Sequence, residues 1–406
     1  MWDVIVVGAG PAGCTAAALL SRAGLRVILL EKSSAPPPKV CGEYLSPGCL
    51  PILDRFGLLT SLRDAGARPL NGMVIHTAGG HTLEATYPRD GGIQGLPARG
   101  LSIRRAILDP LLLDTAIKQG AEFAPNFQMS DLTWENGRIA GVRGRHRGQM
   151  THRRARLVIG ADGRNSAVAR RMGPVQPHPW LDKVALVGYF AGVERSGSVA
   201  EIFLGRDRYC ILNPITPELT NIGLVVNRRD FKATADLTRL LLETAATVPG
   251  LRHRLAHARP VQPPRCLGPL AYRGPRLAAR GALLVGDAAG FLDPFTGEGI
   301  YAALRSAEIA VECVVPSLLT DCTASADPRD YPLAWKREFL PKWRLCTALQ
   351  HAIRHPTLGD WLVARLRGRP DLTTRLMAAV GDLIPPQDLC PLRLLASLLG
   401  GQTRHT

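Results

Sequence analysis

The chain has 406 residues, of which 46% are hydrophobic and 21% charged, so it can bury a sizeable core and divide into more than one lobe. No run of about 18 apolar residues occurs, which excludes a predicted membrane-spanning helix. The net charge of +16 comes almost wholly from arginine, with seven lysines among the fifty basic residues; these arginines are scattered and not interleaved with aromatics, which predicts a solvated basic surface and no nucleic-acid partner. Trp2 leads straight into a strand with no cationic leader before it, so a cytoplasmic protein is expected. The nine cysteines show no CxxC pair and no Cys/His cluster, and read as reduced thiols without a metal site.

Residues 2–7 form an apolar, β-branched run suited to a buried parallel strand. A glycine turn follows, then a helix over Ala12–Arg22 that Gly24 stops, then a second apolar strand over Leu25–Leu30 that ends at Glu31. Strand, turn, helix and strand within about thirty residues make a right-handed βαβ unit. Pro36-Pro37-Pro38 marks an extended loop, 48–64 reads as a helix, and 73–99 as short strands and turns. Arg105–Gln119 is an amphipathic helix with Leu108, Leu111, Leu112 and Ile117 on one face. Alternating strands fill 127–158, with Asn136-Gly137 as a hairpin turn, and antiparallel strands fill 184–227. A helix over Ala233–Ala246, an apolar strand from Gly281 and a long helix from about Gly297 follow; from Tyr331 the pattern is helical and basic.

Three segments carry chemistry. In Gly8-Ala9-Gly10-Pro11-Ala12-Gly13, Gly8 permits the tight turn, Gly10 lets a pyrophosphate approach the backbone, and Gly13 allows close helix–strand packing. Glu31, 21 residues after Gly10, is placed to accept from a ribose hydroxyl, with Lys32 beside it, and an acid there disfavours a 2′-phosphate. In the second segment a strand delivers Asp287 to its C-terminal end, suited to a ribityl hydroxyl; Gly297, Gly299 and Ile300 then open a helix whose N–H groups suit a flavin N1–C2=O edge. The third, Leu157 to Ser166, is a strand ending in a turn that Asp162 holds by local hydrogen bonds.

These segments, in this order over roughly residues 1–310, resemble the FAD-dependent oxidoreductases of p-hydroxybenzoate-hydroxylase-like fold. The resemblance implies FAD as cofactor, Arg105 as a cofactor-contacting arginine (with Arg104 the competing choice), and Met129 as an adenine-side contact. It implies an α/β fold: a Rossmann-like FAD-binding domain (1–72, 97–175 and 267–330) interleaved with an α+β substrate lobe on an antiparallel sheet (73–96 and 176–266), and then a C-terminal helical region (331–406).

Lys39-Val-Cys41-Gly42-Glu43 looks like the Cys-Gly loop of the geranylgeranyl-reductase-like branch, as does Gly297-Glu298-Gly299-Ile300. In that branch the loop lies beside the isoalloxazine ring, which makes Cys41 a candidate catalytic acid, or else a small residue chosen for fit. The Tyr-x-Trp-x-Phe-Pro pattern of prenyl reductases is here Tyr209-Cys210-Ile211-Leu212-Asn213-Pro214, so both large aromatics are replaced. The Trp-x-Trp-x-Ile-Pro signature of flavin-dependent halogenases is absent, with no lysine in an obvious equivalent place, which argues against halogenation. No second glycine-rich βαβ motif is visible, so NAD(P)H docks transiently or an external donor supplies electrons.

The expected chemistry is hydride transfer to or from a C=C bond of a small hydrophobic polyketide- or isoprenoid-like metabolite. The alternatives are a C4a-hydroperoxide monooxygenase acting on an aromatic ring, and a non-catalytic flavin-binding redox sensor. Tyr189, Phe190, Phe203 and Tyr209 look built to cover a pocket, which favours an enzyme. The basic tail, with Trp335, Phe339, Trp343, Ile353 and Trp361, suits contact with an anionic membrane or a carrier protein, or else a helical cap on the substrate lobe. His351 and His355 lack a third metal ligand.

Overall fold

In the strand Trp2–Val7, Val4, Ile5 and Val6 are fully excluded from solvent. A strand apolar on both faces needs cover on both, which a central parallel strand receives. It pairs in parallel with Val27–Leu30 on one side and with Gln149–Gly160 on the other. Glu122–Ala124 and Ala282–Leu284 extend the parallel sheet outward on those two sides. The crossover helix Pro11–Arg22 is buried along most of its length and packs on the helices Arg105–Lys118 and Gly299–Thr320. The computed structural model describes residues 1–35, 37, 39–89, 92–195, 197, 199–231, 235–320 and 328–389.

The strand Gln149–Gly160 runs beyond the parallel sheet into an antiparallel layer with Arg138–His146 and Phe127–Glu135. Asn136 and Gly137 both take positive φ there, as a two-residue hairpin turn of that twist requires. A second sheet joins Lys183–Ala191, Leu219–Asn227, Arg208–Pro214 and Ala200–Gly205 in antiparallel order. It continues through Gly72–His76, which pairs in parallel with Ala200–Gly205, to Thr82–Thr86. The helix Leu237–Ala245 covers one face through Leu241 and Ala245, packed with Val184, Leu186 and Phe190.

The structure corrects several readings. Residues 48–64 form two helices, Cys49–Asp54 and Leu58–Asp64, because Gly57 between them is left-handed at φ 69° and ends the first. In Arg105–Lys118 the buried stripe is Leu108, Leu112, Thr115 and Ala116, while Ile117, about 100° further round, is 44% exposed. Pro36, Pro38, Ala233 and residues 390–406 of the C-terminal region lie outside the described residues.

The C-terminal chain forms helices Tyr331–Arg354, Pro356–Arg367 and Pro370–Val380. Trp335 and Phe339 enter the core of the parallel sheet. Ile353, Val363, Leu366, Met377 and Val380 pack on Ala185, Leu204, Tyr209 and Val225 of the second sheet. Much of the apolar face of these helices is therefore covered by the protein itself, as in a helical cap, while Leu333 and Leu358 stay exposed. His351 lies against the Trp180 ring, with centroids 4.5 Å apart, and no group of metal-ligating side chains occurs among the described residues. No described helix is long and apolar enough to cross a membrane.

A Cβ at Gly8, where φ is 103°, would lie 2.5 Å from the Ala161 carbonyl oxygen. Gly8→Ala is therefore expected to destabilise the protein by about 1–3 kcal/mol, read as a lowered midpoint in chemical denaturation.

Candidate active site

The three sequence motifs meet at one end of the parallel sheet. The Ala161 N–H donates to the Val7 carbonyl at 2.8 Å, seating the third motif on the glycine turn. A Cβ at Gly13 would stand 1.8 Å from the Gly8 oxygen, and one at Gly286 would stand 3.0 Å from Ala12 Cβ. Gly10 differs: a Cβ there meets nothing within 4 Å. It caps the helix Pro11–Arg22 with no side-chain hydrogen bond and no acid in the first turn, so the free N–H groups of that turn present a site for an anion.

Glu31 ties this turn to the loop after the second strand, since one carboxylate oxygen accepts from the Ala9 N–H (3.0 Å) and the other from the Ser33 N–H (3.1 Å). Lys32 beside it is exposed. Met129 is buried two residues past Phe127, whose N–H donates to the Glu31 carbonyl at 2.8 Å. Asp162 accepts from Ser166 Oγ and from the N–H groups of Ala167 and Val168, which is the local turn-holding role expected of it.

The Asp287 side chain makes no hydrogen bond to another described residue, while its carbonyl accepts from Tyr272 OH at 2.7 Å. Burial pushes this carboxyl up; Arg105, Arg164 and Lys39 act against that. Arg105 holds Asp109 in a bidentate pair through one guanidinium edge, Nε to Oδ1 and Nη2 to Oδ2 at 2.8 Å, whereas Arg104 is exposed. Gly297 at φ 70° is left-handed, and a Cβ there would strike the Tyr44 ring at 2.5 Å, so this glycine serves the ring's approach. Gly299 and Ile300 begin the next helix, and Ile300 is buried in the core. Glu298 accepts from Thr296 and pairs with Lys342 at 3.9 Å, facing the C-terminal helices.

The Cys41-Gly42-Glu43 loop is held by the second sheet. Asn213 Nδ2 donates to the carbonyls of Gly42 (2.8 Å) and Glu43 (3.2 Å), and Asn221 Nδ2 to that of Cys41 (3.2 Å). The Cys41 thiol accepts from the Glu43 N–H at 3.3 Å, and burial pushes it up to about 11, so it is a protonated acid and not a thiolate nucleophile. Glu43 is 1% exposed; one carboxylate oxygen accepts from Tyr189 OH and the other from the Arg105 backbone N–H. Burial raises this carboxyl to about 7.

Cross-strand register arranges one sheet face in rows. Tyr189, Asn221 and Asn213 are directly paired and form the row under the loop. The next row is Val187, Gly223, Ile211 and Ile202, and the one after is Ala185, Val225, Tyr209 and Leu204, beneath the C-terminal helices. Val187 and Ile211 are half-buried, and a Cβ on the buried Gly223 would meet nothing within 4 Å, so an apolar floor faces enclosed space in the middle row. Tyr209 OH donates to Asp293 at 2.6 Å just before the Pro294–Thr296 turn, and Gln350 and Lys183 extend this network at 2.8 and 2.6 Å.

Glu43, Asn213, Asn221, Lys39 and Arg164 were not among the residues singled out for the site by sequence. For the asparagines a signal existed: Asn221 interrupts an apolar strand, and a buried amide in a sheet must find partners.

Two substitutions separate folding from binding. Gly10→Ala is expected to cost no more than about 1 kcal/mol of stability but to weaken FAD at least about tenfold, measured by flavin fluorescence titration. Asn213→Ala leaves two loop carbonyls short of a donor and is expected to cost about 1–3 kcal/mol, with faster proteolysis near Gly42.

Residues 1–186 match a protein family described as an FAD binding domain. The chain is 28% identical over 346 residues to digeranylgeranylglycerophospholipid reductase 2 of Methanopyrus kandleri, covering 83% of each chain. It is 26% identical to a 1H-pyrrole-2-carbonyl-[peptidyl-carrier protein] chlorinase of Pseudomonas fluorescens, covering 76% of this chain and 74% of that one. Its fold superposes on a geranylgeranyl bacteriochlorophyll reductase-like protein from Thermoplasma acidophilum with a TM-score of 0.74 at 23% identity, covering 94% and 99% of the two chains. The flavin-dependent brominase Bmp2 superposes at 0.84 with 19% identity, covering 97% and 98%. With a match to an FAD binding domain over its first 186 residues and similarity to reductases along four-fifths of its length, the chain is an FAD-dependent oxidoreductase that is similar to the geranylgeranyl-reductase-like branch.

Proposed function

We propose that this enzyme adds hydrogen across a C=C bond of a hydrophobic isoprenoid- or polyketide-like substrate, or runs the reverse desaturation. The carrying observation is the Cys41-Gly42-Glu43 loop set beside the apolar floor of Val187, Gly223 and Ile211. An alkene has no hydrogen bond to offer, so an uncharged floor suits it. Its reduction also needs a proton donor next to the reacting carbons, and the loop supplies two acids, the half-buried Cys41 and the buried Glu43.

The residues fit the cofactor. Gly8, Gly10, Pro11, Ala12 and Gly13 would take the pyrophosphate on the helix N-terminus, Glu31 and Lys32 the ribose, and Met129 the adenine side. Asp287 would take the ribityl chain, with Arg105 near it, and Gly297, Gly299 and Ile300 the flavin edge. The Asp287 carboxylate without a described hydrogen-bond donor and the open side of Gly10 support this assignment. Bound FAD supplies hydride in its reduced form. NAD(P)H or a separate electron donor would reduce it, since no second nucleotide-binding glycine turn was found in the sequence.

The relatives' names span lipid reduction and chlorination of a carrier-bound pyrrole. Two sequence features favour the first: the Cys-Gly loop, and the absence of the halogenase tryptophan signature. The expected substrates are small or lipid-like hydrophobic molecules, of which digeranylgeranylglycerophospholipid is the nearest probe. Anaerobic FAD-loaded protein reduced with dithionite and given this lipid in detergent micelles is expected to reoxidise its flavin and return lipid heavier by H2 per bond. Turnover that occurs only with O2, with oxygen or halide in the product, would overturn the reading.

A further inference from the structure

Glu43 is a buried carboxyl held in an unusual place. Its φ is 57°, the left-handed region that a glutamate rarely adopts, and such a conformation persists where the surroundings fix it. Here they do: Asn213 and Asn221 hold the carbonyls of the loop, and the Ile103 N–H donates to the Glu43 carbonyl at 3.1 Å. The charged and titratable groups facing the carboxyl are Cys41, Arg105, Asp109 and Tyr189, and the Arg104 charge acts on the Tyr189 phenol. The Arg105 guanidinium is committed to Asp109, and only its backbone N–H reaches Glu43. A buried structural carboxylate is normally paired with a cation; this one has a phenol instead. That phenol, Tyr189, is half-buried in the sheet row next to the apolar floor.

We propose that Tyr189 and Glu43 form the proton relay of the reaction, with Tyr189 the catalytic donor and Glu43 the positioning residue that holds the proton behind it. This rests on the C=C reading above. When Glu43 is protonated it donates to Tyr189 Oη, and the phenol hydrogen is free to point over the floor. With reduced FAD bound, one carbon of the double bond would gain the hydride that the cofactor supplies, and the π electron pair at its neighbour would take the Tyr189 proton. Tyr189 Oη in turn takes the Glu43 proton. Glu43 is left as the carboxylate with one donor on each oxygen, which is the hydrogen-bonding pattern of the structure, and water reprotonates it for the next turnover. Desaturation runs the same path backwards. Cys41, pushed up to about 11, and Tyr189, raised by burial and by Glu43, do not titrate in the working range.

The sign follows from Glu43. Its carboxyl is raised by burial to about 7, so the reductive direction keeps its acid below that pH and loses it above. The test uses FAD-loaded wild type, Glu43→Gln, Glu43→Asp and Tyr189→Phe, each checked for bound flavin by absorbance. Infrared titration of the wild type is expected to show a buried carboxyl band that disappears as pH rises through about 7 and is missing in Glu43→Gln. Single-turnover reduction of digeranylgeranylglycerophospholipid is expected to fall above the same pH. In Glu43→Gln it should be about a hundredfold slower at low pH, with that limb gone; Glu43→Asp should recover the limb, and Tyr189→Phe should be as slow. A Glu43→Gln enzyme with unchanged rate and pH limb, or a Glu43 band titrating at the ordinary carboxylate value, overturns the relay. A wild type that binds FAD and shows the carboxyl band but leaves the lipid unreduced overturns the C=C reading for that lipid and leaves the relay's titration standing.

Discussion

The carbonyl of Ala161 stands where a side chain on residue 8 would have to be, 2.5 Å from that Cβ position. This approach sets the distance between the first strand and the long strand Gln149–Gly160, and therefore brings the third motif onto the first. Gly13 lets the crossover helix sit down on the same turn, and the Gly286 position lies against Ala12, so the strand carrying Asp287 ends at the same place. Backbone packing without side chains thus gathers an anion-ready helix end, the Glu31 carboxylate and the Asp287 carboxylate at one rim. The parallel sheet obeys the rule that ligands gather at the carboxyl ends of its strands.

What converts a nucleotide fold into a reaction site is the junction with the second sheet. Two amides, Asn213 and Asn221, face each other across neighbouring strands and together hold three consecutive carbonyls of one loop. Since both amides are almost fully buried, releasing the loop would strand polar groups away from water. The loop therefore keeps its place relative to the apolar rows, and a thiol and a carboxyl come to the edge of the floor. Burial then sets their acidity: the Tyr189 hydroxyl, the Arg105 N–H and the nearby Arg105 charge offset only part of the desolvation cost of the Glu43 charge, and the carboxyl titrates late.

How far the sequence could be read follows from the range of the interactions. The glycine turn with Glu31, the Asn136-Gly137 hairpin and the Asp162 cap are local, so spacing along the chain is enough to find them. Helix phase was less legible. Ile117 continues an apolar pattern, yet the helix turns its stripe toward Thr115 and Ala116, because the tertiary surface it meets decides the phase. Glu43 was illegible as a site residue, since nothing in its neighbours announces a left-handed glutamate or the distant strand that supplies Tyr189. The basic tail left two readings open for a related reason: an amphipathic helix looks alike whether its apolar face meets lipid or a sheet, and here residues of that face pack on a sheet.

The buried run from Lys183 through Gln350 to Asp293 and Tyr209 ties three remote parts of the chain into one polar unit. Gln350 contributes both ends of its amide, accepting from the lysine and donating to the aspartate, so it acts as a bridge that no apolar residue of the same size reproduces. Because Asp293 leads into the turn before Gly297, the last helices of the chain help to fix a loop at the opposite end of the fold's logic, beside the expected flavin edge. Shortening the chain ahead of residue 350 would not trim an appendage. It would take one donor from an acid already carrying an unpartnered oxygen, and the acceptor from a buried lysine. The C-terminal helices are in this way a condition for the geometry of the candidate site itself.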